Sequence, residues 1–251
     1  MSSLAISAIV FACVFGGAIL GMFLRARLPQ HHLGTDSKDT VKLGMGIVAT
    51  LSALVLGLLI ASAKSSYDAQ SAELTQMSAK VILLDRILAH YGPETKETRD
   101  LLRASTAYFL ELMWSNNPSL ASPFGTSSKG AEILLDKIQE LAPQNDKQRS
   151  LQAQAQGLVL DLGQMRWLQF TQASASISMP LLVILVFWLT TIFISFGLFA
   201  PANSTVFISL LVPSLSVSAA ILLILELYTP YAGIIRISSA PLRDALSQLG
   251  R

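Results

Sequence analysis

The sequence predicts an all-α fold, a polytopic membrane protein with four transmembrane helices and a helical extramembrane bundle inserted between the second and third spans. Three observations predict it. Of the 251 residues, 52% are hydrophobic and 14% charged, against about 25% charged in ordinary soluble domains. The charges are also segregated. Lys and Arg divide as four in 25–42, eleven in 64–166 and three in 236–251, and acids as two, twelve and one, so that Glu226 is the only acid left over. Four long segments are therefore charge-free or nearly so. Finally, the run from Gly44 to Ala63 holds twenty residues without a formal charge, and a helix of that length spans about 30 Å, the hydrocarbon thickness of a bilayer. Beyond Lys64 the composition turns polar while the helical pattern persists: Tyr67, Gln70, Leu74, Met77, Val81, Leu84, Leu88 and Tyr91 fall at alternating steps of three and four. That is a heptad seam running out of a membrane span.

Four regions follow from these boundaries. Residues 1–63 hold the first transmembrane pair with a basic connecting loop, and 64–175 a helical bundle that extends the second and third spans. Residues 176–228 hold the second transmembrane pair, and 229–251 form a C-terminal tail.

The first span covers residues 3–24. No basic segment precedes it, and Arg25 and Arg27 stand where a signal peptide would need a small-residue cleavage site, which predicts a retained helix. Gly17 and Gly21 form a GxxxG contact face. The single cysteine, Cys13, permits no intrachain disulfide and reads as a small buried hydrophobe. From Arg25 to Lys42 the chain is a hydrophilic link. Its adjacent His31 and His32 lack a third ligand at metal spacing and read as solvated loop residues.

Within the polar insert the first helix ends near Tyr91, and Gly92-Pro93-Glu94 restarts the chain with Pro in a first turn. A helix over about 94–114 should turn Leu101, Ser105, Tyr108, Phe109 and Leu112 inward. Residues 115–130, rich in Asn, Pro, Ser and Gly, read as a loop. A third insert helix over about 131–141 should bury Ile133, Leu134, Ile138 and Leu141. The fourth, from about Asn145, repeats Leu151, Ala155, Leu158, Leu162, Met165 and Gln169 and shows no breaker before the third span, which runs over about 177–200 with Pro180 in its first turn. Asn203 or Ser204 should cap the fourth span, about 206–227, and Pro213 lies inside it. The tail ends in a short amphipathic helix with Ser239 placed to cap it.

Two stripes mark the second span. Ala49, Ala53, Gly57 and Ala61 form a ridge of small side chains suited to close helix packing. About 100° around the helix lie Thr50, Leu54, Leu58 and Ser62. In a ring of subunits packed through the small ridge, that second stripe would face the axis, and a passage lined by leucine methyls gates by dewetting. Spacing alone reads more simply as both stripes packing against helices of the same subunit.

The net charge of +2, without a basic patch interleaved with aromatics, gives no footprint for nucleic acid. No paired histidines with a glutamate, serine elbow, glycine-rich phosphate loop or clustered carboxylates occur, so the sequence names no catalytic residue, no metal ligand and no cofactor. Charge near the membrane is tied, four basic residues against four, and leaves orientation open.

Short runs complete the reading. Leu54-Val-Leu-Gly57 through Ser65-Ser66-Tyr67-Asp68 resembles the pore helix of bacterial bestrophins, and Glu226-Leu-Tyr-Thr-Pro230-Tyr231-Ala-Gly233 is similar to the segment after their last membrane helix. More closely, the chain resembles the bestrophin-like bacterial membrane proteins through Lys42-Leu-Gly-Met-Gly46, Ala63-Lys-Ser-Ser-Tyr-Asp68, His90-Tyr-Gly-Pro93 and Ser239-Ala-Pro-Leu242. The resemblance implies a multi-pass homo-oligomer of the cell inner membrane, a pentamer. It also implies that both termini and the insert are cytoplasmic, and that the second helix lines a path for an inorganic ion. Matching on Gly57 puts Thr50, Leu54 and Leu58 at the neck; matching on Tyr67 moves the register by one helical turn. Ser66, Tyr67 and Asp68 then mark the pore exit. Aromatic rings that line many bestrophin necks are absent, and Asp and Asn are sparse after Glu226. In that orientation Arg25, Arg27, Lys38 and Lys42 surround the outer mouth, and their positive field tilts the expectation towards anions. The competing reading is a nonconducting scaffold or signalling module whose insert binds a soluble partner.

Overall fold

The computed structural model describes residues 2–29, 35–114, 127–173, 178–201 and 203–250. Among them every regular element is helical: α1 (Ser3–Arg27), α2 (Thr35–Tyr91), a 3₁₀ turn (Pro93–Thr95), α3 (Lys96–Trp114), α4 (Ser127–Gln139), α5 (Asp146–Ala173), α6 (Met179–Phe199), α7 (Ser204–Leu227) and α8 (Ala240–Gln248). By length and composition α1, α2, α6 and α7 are apolar enough to cross a membrane. The chain divides into two compact units, one of residues 1–66 and 176–228, the other of residues 67–175 and 229–251. The division falls inside α2, where the apolar run gives way to the heptad seam.

In the apolar unit, backbone approach organises the packing. A methyl built at Gly21 would fall on the Ile194 carbonyl oxygen, one at Gly197 on the Ala18 carbonyl oxygen, and one at Gly17 would sit 3.0 Å from Thr190 Cγ2. The contacts advance together along both helices, so α1 and α6 run parallel, seated on small residues. That is how helices associate where lipid offers no hydrophobic gain. Against α7 the order reverses: Ser7 Oγ donates to the Ser218 carbonyl at 2.8 Å, and the rings of Phe15 and Phe207 meet edge to face at 5.2 Å. Asn203 caps α7, its side-chain oxygen accepting from Val206 N at 2.8 Å. Cys13 is exposed, contrary to the buried reading, because the face of α1 that packs is Ser7, Val10, Val14, Gly17, Ala18 and Gly21.

The other unit is a helical bundle around one core. The heptad seam holds: Gln70, Leu74, Met77, Val81, Leu84, Leu88 and Tyr91 are all buried, with Tyr67 packed on the edge of the core. At the end of α2, Gly92 takes φ +151°, a left-handed value that favours glycine, and a side chain there would also strike Glu94. Thr95 Oγ1 donates to the Leu88 carbonyl at 2.6 Å and so ties off the last turn. An ion pair between the half-buried Arg99 and the buried Asp85 joins α2 to α3: Arg99 Nε and Nη2 donate to the two oxygens of Asp85 at 2.8 and 2.9 Å. These bonds raise the Arg99 guanidinium above its usual value. The tail reaches the same carboxylate, Gly250 N–H donating to it at 3.3 Å. Trp114 Nε1 donates to the Ile237 carbonyl at 3.0 Å, while Tyr231, edge to face with the Trp114 ring, donates its hydroxyl to Gln169 Oε1 at 2.9 Å. Burial pushes the Tyr231 phenol above its ordinary range, with Glu73 adding to the shift. Arg166 lies over the Phe109 ring and donates to the Ser105 carbonyl at 3.1 Å; burial pulls its pKa down to about 10.

Several sequence expectations are corrected. The link to Lys42 is shorter than expected, because α2 already starts at Thr35. No Gly or Pro lies in 35–43, so nothing in that stretch breaks the helix. Residues His31 and His32 lie outside the described residues. In α3 the buried positions are Thr98, Leu102, Thr106 and Phe109; of the expected side Phe109 is buried and Leu101 packs against the core, while Thr98, Leu102 and Thr106 lie beside it. Ile133 is 46% exposed, because Leu134 and Ile138 suffice to seat the short α4. Helix α4 begins at Ser127, inside the stretch expected as a loop; 115–126 lie outside the described residues. Helix α5 ends at Ala173 and α6 starts afresh at Met179, with Ser178 non-helical at the cap position and Pro180 in the first turn. A proline in mid-helix would lose a hydrogen bond and clash with the preceding turn. Ser239 occupies the cap position of α8 without a side-chain bond, and Ser238 Oγ accepts from Ala240 N at 3.2 Å.

Candidate functional site

The candidate site is the apolar half of α2. Ser52, Leu59 and Ala63 are buried there, so the helix seats on its own unit along that line. The opposite line is open: Leu54 is 70% and Leu58 66% exposed, and Thr50 and Ser62 are exposed with them. Thr50 turns its hydroxyl back on the helix, donating to the Gly46 carbonyl at 2.9 Å. Ser62 Oγ lies 3.4 Å from the Tyr228 hydroxyl at the end of α7. Thus the structure places Thr50, Leu54, Leu58 and Ser62 on one uncovered face. That face also includes Leu43, Ile47 and Leu51, which the stripe read from the sequence left out. Their signal was present in the same periodicity, one residue to the side.

The small ridge is uncovered too. Ala53, Gly57 and Ala61 are exposed, Ala49 is half-buried, and a methyl built at Gly57 meets nothing within 4 Å. Ser66 and Tyr67 are half-buried and Asp68 exposed; these three straddle the division between the two units. Tyr67 contributes to the bundle core.

At the opposite end of the apolar unit the basic residues gather. Lys38 and Lys42 line a cleft of about 410 Å³ with the last turns of α6 and with Leu210 of α7. Since α1 runs parallel to α6, Arg25 and Arg27 at its C-terminus belong to this same end. Arg25 is half-buried and Arg27 exposed, and the Arg27 guanidinium lies 4.8 Å from the centre of the Phe23 ring. Lys42 stands 3.8 Å from Asp39, an exposed pair of the kind worth about 0–1 kcal/mol. Among the described residues no group of three or more His, Cys, Asp or Glu side chains is placed to hold a metal.

A family model described as a bestrophin-like domain matches residues 12–242. The chain belongs to the bestrophin-like family. Among solved structures, a mutated bacterial bestrophin homologue from Klebsiella pneumoniae is similar at a TM-score of 0.60 and 13% identity, over 96% of each chain. At that identity the likeness establishes the shared fold. No curated protein matches the chain. With four long apolar helices in this fold, the bestrophin-like chain is a membrane protein, and its uncovered α2 face is the feature that calls for a function.

Proposed function

We propose that this bestrophin-like protein is a homo-oligomeric, multi-pass ion channel of the cell inner membrane, a pentamer whose pore is lined by α2. One observation carries the reading: Leu54 and Leu58 are exposed on a face opposite the residues that seat α2 on its own unit. In a ring of subunits that face forms a hydrophobic neck, flanked by Thr50 and Ser62, while Ala49, Ala53, Gly57 and Ala61 let neighbouring backbones approach. Leucine methyls in a narrow passage hold water out until the passage widens, so the neck gates by dewetting and needs no charged plug. Ser66, Tyr67 and Asp68 then mark the exit, where the helical bundle of residues 67–175 extends into the cytoplasm with both termini. Arg25, Arg27, Lys38 and Lys42 ring the outer mouth. Their field raises the local concentration of anions over a Debye length of about 8 Å, which favours anion conduction.

The test is electrical. Purified protein in planar bilayers should carry current that reverses at the chloride potential, and Leu58→Ala should raise conductance several-fold while the oligomer elutes unchanged. Absence of current under every ionic gradient, or a conductance indifferent to Leu58→Ala, sinks the neck.

A further inference from the structure

The channel reading uses the charge of Lys38 and Lys42 and leaves unused the apolar cleft that they border. Its walls are apolar: Met45 from α2, Phe196 and Phe199 from α6, and Leu210 from α7. Its rim is cationic, with Lys38 and Lys42 one helical turn apart on the same side of α2. Asp39, beside Lys42, leaves the rim with a surplus of one positive charge among the three. At about 410 Å³ the space is far too large for a few waters, and its walls offer water little to bond. It lies between helices long enough to cross a bilayer, at their ends, where headgroups meet hydrocarbon.

We propose that this cleft is a binding site for an anionic phospholipid. The phosphodiester sits between the Lys38 and Lys42 ammonium groups, and the upper part of one acyl chain lies against Met45, Phe196, Phe199 and Leu210. Charge complementarity selects the occupant: a rim with one surplus cation matches a headgroup of one net negative charge, and a zwitterionic headgroup gains less. Long amines can stretch to the interface while their methylene stems cover apolar surface, and basic pockets between membrane helices bind acidic headgroups. The site does not depend on ion conduction and stands or falls separately from it.

Delipidated full-length protein, titrated in detergent with dioleoyl phosphatidylglycerol or dioleoyl phosphatidylcholine and read by native mass spectrometry, tests the proposal. Phosphatidylglycerol should be retained preferentially, and Lys38→Gln and Lys42→Gln should each reduce that preference roughly fivefold. The paired arginine variants, Lys38→Arg with Lys42→Arg, should restore it. Gly46 borders the cleft, and a side chain built there meets nothing within 4 Å, so Gly46→Trp should fill the space and lower retention of both lipids in a protein that still folds. Equal retention of the two lipids, or glutamine variants that behave as wild type, overturns the proposal. So does displacement by soluble glycerophosphoglycerol, which would reveal an anion site without an acyl wall. A change in subunit number with Gly46→Trp would show instead that a neighbouring subunit fills the cleft.

Discussion

The apolar unit contains two ridges of small residues with opposite fates. On α1, Gly17 and Gly21 are pressed so closely onto α6 that a methyl at Gly21 would occupy the space of a backbone carbonyl. On α2, Ala53, Gly57 and Ala61 repeat the same four-residue spacing, yet Gly57 has open space around it. In sequence the two look alike. The difference lies in the partner. Helix α6 supplies Gly197 opposite Gly21, so both backbones can close in, whereas a methyl built at Gly57 meets nothing within 4 Å among the described residues. A small-residue motif therefore marks a capacity for close approach, and a second small residue on a second helix decides whether the subunit itself uses it.

Substitutions on the two ridges test this contrast. The largest effect is expected from Gly197→Val, because its side chain would displace the backbone of α1 at Ala18. Loss of folded, monodisperse protein in detergent is the expected outcome, and a thermally normal variant would refute the close approach. Next comes a control in the bundle, where stability rests on polar contact. Asp85→Ala takes the carboxylate from the half-buried Arg99 and from the Gly250 amide. Losing hydrogen bonds to a charged group costs about 1.5–3 kcal/mol, to be read by denaturant unfolding and by faster proteolysis of the tail.

Gly57→Ala is the converse of Gly197→Val. Within one subunit it should be neutral or stabilise α2 by up to about 1 kcal/mol, since glycine in mid-helix costs that much relative to alanine. A changed subunit number with intact helicity would place the α2 ridge between subunits, and an unfolded subunit would erase the contrast between the ridges. The smallest change is expected from Ser62→Ala. Its hydroxyl is exposed and 3.4 Å from that of Tyr228, a long contact whose loss should move the melting temperature by no more than about 2 °C.

Much of the architecture was legible because it repeats. A charge-free run of bilayer length and a heptad seam over eight positions from Tyr67 to Tyr91 are cumulative signals, and one contrary residue cannot cancel them. Asn203 as a cap was also readable, since its local hydrogen bond needs no distant partner. Faces of short helices were less legible. Thr98, Leu102 and Thr106 of α3 are buried although Leu101, Ser105 and Tyr108 scored as the better stripe, because threonine satisfies its own hydroxyl on the preceding turn, as Thr106 does on the Leu102 carbonyl. Cys13 is exposed for a different reason: a membrane helix is apolar all round, so polarity does not mark the side that packs.

By itself the sequence determined the kind of molecule, its helices, the join of apolar and heptad segments within α2, and the two stripes on that helix, since all of these depend on the periodicity and solvent preference of neighbouring residues. Tertiary packing alone set that both α2 stripes stay uncovered, that Gly21 meets Gly197, that Asp85 holds both Arg99 and the tail, and that Lys38 and Lys42 share a cleft with α6. Those facts join residues up to 176 positions apart in the chain, as Gly21 and Gly197 are, and contact at such separation is set by how backbones close on one another.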